Sequence, residues 1–351
     1  MSGSSPVEPL PYSDDEVAAA LGDRWKERLV SAYGWMALAR AFDGRMQSLQ
    51  RQGRIGFYGA STGQESVNVA AGLASSSDDW VFPGLREQWV AIVRGFSLEG
   101  YAHSIFGNSL DPAKGRQMPC HPTAREVHYV SMSSVIGTQI SQAAGLAYAL
   151  RHRHDRGAVL ACFGDGATSS NDFHAGMNFA GVFRLPVVFL CANNQWEISL
   201  PVGRQTRAET LAAKAAAYGF PGHRVDGTDF VAVYAAIGAA LRTAREDGGP
   251  TLLELLTFRM TPHSSSDDPG RYQPGDWAAR AASHDPVLRL ERWMVEHGLL
   301  SPDQQLAIQS TAEESVRAAV QAAEAASPPA PRTLTEDVFA SPSSAPGGDA
   351  S

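Results

Sequence analysis

From about residue 139 the chain alternates two patterns that only one fold class accommodates. Helical spacing over residues 139–151 gives way to an apolar run at 158–163, helical spacing returns over 171–183, and a second apolar run follows at 187–192. A helix beginning near Asp229 and the run 252–258 repeat the pattern. Runs this short and this apolar are strands buried on both faces, and their alternation with helices makes βαβ units around a parallel sheet. Ligands in such sheets sit beyond the carboxyl ends of the strands, so the residues after each run carry the functional information.

Gly164-Asp165-Gly166-Ala167 follows the run at 158–163, and Asn193-Asn194 follows the run at 187–192, with 26 residues between Gly166 and Asn193. Both sets therefore fall on one edge of the sheet. Asp165 offers a carboxylate oxygen and Asn194 an amide oxygen, donors that Mg²⁺ takes together with phosphate oxygens and water. The glycines let backbone N–H groups approach an anion near the start of the next helix, where the helix dipole also favours negative charge. Gly-Asp-Gly alone is an ordinary turn; its pairing with Asn-Asn across a βαβ unit is far more specific.

Upstream, Ser13-Asp-Asp-Glu16 is a capping box opening a long helix whose stripe is Val17, Leu21, Trp25, Leu29 and Tyr33. Thr62-Gly-Gln-Glu65 reads as a second box, which gives Glu65 a capping role rather than a chemical one. Gly137, Ser141, Gly145 and Ala149 form a small-residue stripe that suits either an intrachain helix contact or a subunit interface. Residues 1–12 and the Pro- and Ser-rich tail 327–351 hold too little apolar surface to offset ordering entropy, leaving 13–326 as one folded domain.

The balance of 29 Lys and Arg against 37 Asp and Glu gives a net charge of -8, which argues against nucleic acid as a partner. No apolar run is long enough to span a membrane. Cys120, Cys162 and Cys191 have no metal-ligand spacing and are too few for a disulfide framework. Acidic residues precede the first basic one, Arg24, the opposite of a transit peptide. The expectation is a cytoplasmic, bacterial protein.

Strand, GDGA, helix, strand and NN in this order resemble thiamine diphosphate enzymes. Gly53-Arg-Ile-Gly-Phe-Tyr58, Thr62-Gly-Gln-Glu65, Lys114-Gly-Arg-Gln-Met-Pro119, Ser133-Ser134, Thr138-Gln139 and His263-Ser-Ser-Ser-Asp-Asp268 then fall in the order of E1 α subunits of 2-oxo acid dehydrogenase complexes. The resemblance covers roughly residues 20 to 300. The GRQMP and HSSSDD stretches look more like branched-chain than pyruvate members. The implied fold is α/β, a thiamine diphosphate-binding fold with a mainly parallel sheet flanked by helices and extra helices at both ends.

The resemblance implies that Asp165, the Asn194 side chain and the Trp196 carbonyl bind Mg²⁺, that Gly166 and Ala167 contact the diphosphate through their backbone, and that Arg86 pairs with it. Ser134 and Ile136 match the aminopyrimidine site, Ile136 as an apolar wedge. Ser133, Thr138 and Gln139 match a K⁺ site of some relatives, and His263 matches the active-site histidine. Two contacts differ from many relatives, Leu85 standing where a tyrosine is common and Ala192 where mitochondrial branched-chain members carry arginine. The glutamate that activates the cofactor belongs to the β subunit in this family. The implied function is therefore that of an α chain in an α₂β₂ E1, performing oxidative decarboxylation of a small branched-chain 2-oxo acid with transfer to the lipoyl domain of E2. A pyruvate or acetoin E1 α subunit and a noncatalytic structural paralogue are the alternatives. Asp337-Val338-Phe339 resembles a C-terminal segment of the family.

Overall fold

The computed structural model describes residues 7–336. Asp337-Val338-Phe339 lie outside them. Along the chain run α1 (Asp14–Leu21), α2 (Trp25–Arg51), α3 (Glu65–Ala74), β1 (Trp80–Phe82), α4 (Gln88–Val93), α5 (Leu98–Phe106), α6 (Thr138–His152), β2 (Val159–Gly164), α7 (Asn171–Phe183) and β3 (Val187–Asn193). Then follow the hairpin β4 (Trp196–Glu197) and β5 (Leu200–Pro201), β6 (Gly222–Asp226), α8 (Phe230–Arg245), β7 (Thr251–Leu256), α9 (Trp277–Ser283), α10 (Pro286–Glu296) and α11 (Pro302–Ala325).

The main sheet is wholly parallel, in the order β1-β2-β3-β7-β6. Its strands are buried because successive side chains alternate between two helical layers. Leu160, Cys162, Val188 and Leu190 face the layer that holds α3 and α8, while Val159, Ala161, Phe163 and Phe189 face α6 and α7. The terminal helices form a further layer in which α11 packs on α2 and α5.

Two local expectations change. The stripe from Val17 to Tyr33 spans two helices, because Gly22 at φ +80° ends α1 in a backbone region that few other residues adopt. Residues 7–12, expected to lack order, are docked instead. The Glu8 amide donates to the Ser283 carbonyl at 2.8 Å, the Tyr12 hydroxyl donates to Asp229 at 2.8 Å, and Leu10 is buried. The tail's start is likewise held, the Ser109 amide donating to the Ser327 carbonyl at 2.8 Å.

The small-residue stripe is used within the chain at its N-terminal end, where Gly137 is buried with the Ser170 side chain in the space a Cβ would take. The Ser141 hydroxyl reaches Asp172 of α7 at 3.0 Å, whereas Gly145 is exposed. Glu65 is not a cap. It accepts the Gly63 amide at 2.8 Å and pairs with Arg40 at 2.7 Å, while Thr62 donates to Asp43 instead. Among the described residues no helix is long and apolar enough to cross a membrane.

Candidate active site

Four neighbouring strands deliver the site from their carboxyl ends. Arg86 follows β1, Asp165 follows β2, Asn194 follows β3, and His263 lies beyond β7. Pairing of Gly164 with Ala192 and of Asn193 with Leu256 brings these ends level. They open into a cavity of about 330 Å³ that also receives Ser134 and Ile136 from the segment before α6.

The two asparagines divide their work. Asn193 donates to Glu254 on β7 at 2.7 Å and accepts the Gln195 amide at 2.9 Å, so it fixes the strand end. Asn194 lines the cavity, its side-chain oxygen accepting the Trp196 amide at 3.2 Å. Gln195 at φ +74° and Ile198 at φ +51° turn the chain tightly around Trp196 and Glu197. The Trp196 carbonyl accepts from Arg259 Nη1 at 3.0 Å, which leaves its second lone pair for another partner.

Asp165 is almost fully buried, and one of its oxygens accepts from Gln205 Nε2 at 2.7 Å. Burial raises its pKa, opposed by the Gln205 hydrogen bond and by Arg259. Gly166 and Ala167 belong to a 3₁₀ turn, Asp165–Ser169, which precedes α7, and α7 runs over the expected residues 171–183. Among the described residues no three His, Cys, Asp or Glu side chains converge on one point. A cation held here must therefore draw on amide, carbonyl, phosphate and water oxygens, the donor set of Mg²⁺.

Arg86 is buried and joins the loop after β7 to the strand ends. Its guanidinium donates to the Ala60 carbonyl and, at 2.7 Å, to the His263 carbonyl. It also stands 3.3 Å from His263 Nδ1. Arginine can only donate, so Nδ1 accepts and Nε2 carries the imidazole proton. Burial, then repulsion from Arg86 and Arg259, pushes the His263 pKa down to about 4. Burial and the neighbouring Arg259 lower that of Arg86 to about 10.

Polar contacts hold the segment from Thr261 to Tyr272 in place. Asp267 accepts the His263 amide at 2.7 Å and the Tyr272 hydroxyl at 2.6 Å, and Arg259 donates to that hydroxyl at 2.7 Å. Asp267 thus meets Arg259 through Tyr272 rather than directly.

Ser134 shares a short hydrogen bond with His121 Nε2, whose Nδ1 donates to the Pro119 carbonyl at 2.9 Å. Ile136 is 50% exposed at the rim. Gln139 donates to the Cys162 carbonyl at 2.9 Å, and its Oε1 is buried without a partner. Leu85 and Ala192 both line the cavity. Sequence reading passed over Gln205, His121 and Glu197, none of which belongs to a local motif that signals a role.

The chain matches the dehydrogenase E1 component model over residues 33–332. It belongs to the dehydrogenase E1 component family. Among its relatives, the 2-oxoisovalerate dehydrogenase subunit alpha 1, mitochondrial, of Arabidopsis thaliana is 42% identical over 84% of this chain and 63% of its own length. The corresponding human mitochondrial subunit is 38% identical over 90% of this chain and 71% of its own. The 2-oxoisovalerate dehydrogenase subunit alpha of Pseudomonas aeruginosa is 37% identical over 90% and 78%. The chain thus spans less than two thirds of the first of these relatives.

Membership in the E1 family implies thiamine diphosphate use. The residues present fit such a group. One Asp165 oxygen and one Trp196 lone pair remain unspent, a buried guanidinium lines the same cavity, and Gly166 presents a bare α-carbon beside them, against which Glu197 rests. The expected cytoplasmic location is overturned, since the Arabidopsis and human relatives are named mitochondrial. An acidic N-terminal stretch in this chain does not fix its compartment.

Proposed function

We propose that this chain is the α subunit of a branched-chain 2-oxo acid dehydrogenase E1, working in an α₂β₂ assembly with an E1 β subunit and serving the lipoyl domain of E2. The observation that carries this reading is the convergence of Arg86, Asp165, Asn194 and His263 from adjacent strand ends on one cavity. Residues 13–326 form the cofactor-binding unit in this reading, and 327–351 its tail.

Asp165, the Asn194 side chain and the Trp196 carbonyl would hold Mg²⁺, with Gly166, Ala167 and Arg86 holding the diphosphate. Three Arg86 donors are already committed to Ala60 and His263, so two of its five remain for the anion. Ser134 and Ile136 would bound the aminopyrimidine. The buried, unpartnered Gln139 Oε1 supports a K⁺ site shared with Ser133 and Thr138. When bound, thiamine diphosphate supplies an electron-accepting thiazolium that permits loss of CO₂ from a 2-oxo acid.

The chain's own residues orient and hold protons. Arg86 fixes the His263 ring with Nε2–H as its free donor, and the low pKa keeps the ring neutral at pH 7. A neutral donor can bind a carboxylate or carbonyl oxygen without giving up its proton. Kinetics of the assembled enzyme test the substrate class. A kcat/KM higher for 3-methyl-2-oxobutanoate than for pyruvate is expected, and the reverse order would place the chain among pyruvate E1 subunits.

A further inference from the structure

Glu197 follows Trp196 in the β4 hairpin and lines the cavity. Its Oε2 lies 1.9 Å from the point at which a Cβ on Gly166 would stand. The carboxylate therefore rests against the bare α-carbon of the glycine, in space that any larger residue would fill. Among the described residues nothing donates a hydrogen bond to it and no cation forms an ion pair with it; Asp165 repels it, and Arg259 and Arg86 attract it without pairing. A side chain this poorly anchored has little to hold it there once another group competes for the position.

We propose that Glu197 is an internal competitor for the cofactor's diphosphate, occupying the Gly166 face of the cavity until the diphosphate displaces it. The proposal rests on the reading of Gly166 and Ala167 as diphosphate contacts. An anion arriving with Glu197 in place meets overlapping volume and like charge at contact distance, in a cavity where Coulomb repulsion is weakly screened. Cofactor affinity is then limited by the cost of moving this carboxylate aside, and the movement is that of the side chain, because Arg259 holds the Trp196 and Ile198 carbonyls on either side of it. Removing the side chain abolishes both penalties, whereas glutamine keeps the volume and loses the charge.

The test is calorimetric titration of thiamine diphosphate at saturating Mg²⁺ into the full chain assembled with its E1 β subunit, for wild type, Glu197→Ala and Glu197→Gln. Tighter binding by about tenfold is expected for Glu197→Ala and a smaller gain for Glu197→Gln, with inorganic diphosphate following the same order. A misfolded variant cannot bind more tightly, so a gain has no purely structural explanation. Equal affinity in all three proteins overturns the competitor role while leaving the site assignment intact. Weaker binding by Glu197→Ala also overturns it and marks Glu197 as a cation ligand instead. Failure of all three to bind thiamine diphosphate removes the site assignment and the competitor role together.

Discussion

Asp165 and Asn194 stand at the ends of strands buried along almost their whole length, with Trp196 two residues further on, whereas Met118, Val135 and Ile136 line the same cavity with 53%, 65% and 50% of their surface exposed. At the strand ends the chain completes its own geometry, through Gln205 on Asp165, Arg259 on Trp196 and Glu254 on Asn193. At the rim three apolar side chains face outward, and among the described residues none covers them fully. Apolar groups gathered at the mouth of a catalytic cavity are stabilised when another surface excludes water from them. The difference teaches that the strand-end side of the cavity is completed within one chain, whereas its apolar rim is left open, as the proposed pairing with a β subunit requires.

Substitutions can break that contrast. Phe189, fully buried on β3 and stacked 6.0 Å from Phe220, belongs to the rigid half. Phe189→Ala is expected to cost about 3–5 kcal/mol in urea denaturation. Asp165→Ala acts on the same half without touching its core. Because loss of outer partners of metal ligands already costs roughly 10–100-fold, Mg²⁺-dependent cofactor binding should weaken about a hundredfold or more in calorimetry, with an unchanged circular dichroism spectrum. Ile136→Ala should change stability by less than about 0.5 kcal/mol while lowering kcat/KM of the assembled enzyme. A stability loss as large as that of Phe189→Ala would place the rim in the core and end the contrast.

The smallest effect is a pH dependence. The His263 pKa falls from 6.5 to about 4 on folding. Between those values the unfolded chain binds the extra proton, so this group's contribution to stability declines as pH falls through that window and is restored above it. His263→Gln should therefore lose less stability than wild type between pH 6.5 and 4 in denaturant titrations. Identical pH profiles would show that the ring is not held neutral by Arg86 and burial.

The strands that build the rigid half were legible because they are continuous apolar runs, and the motifs after them were legible because topology places them at one edge. The edge strands were not. Trp80–Phe82 is only three residues, and Gly222–Asp226 reads Gly-His-Arg-Val-Asp, without the apolar run of a buried strand. Position in the sheet, not composition, makes them strands. Glu65 was misread because its partner Arg40 lies far away in sequence, and local spacing cannot report a tertiary ion pair. Glu197 escaped for a similar reason, its significance arising only when the hairpin folds over Gly166. The segment from Thr261 to Tyr272 has few apolar residues, and polar contacts among Asp267, Tyr272 and Arg259, which no local spacing reports, replace apolar packing.

The claim that this chain carries half of an active site is tested most directly by turnover of a 2-oxo acid. Decarboxylation of 3-methyl-2-oxobutanoate with thiamine diphosphate and Mg²⁺ should be followed for the purified, homogeneous chain and for the same chain assembled with its E1 β subunit. Activity of the assembly and none from the chain alone is the predicted result. Appreciable turnover by the isolated chain would contradict the account.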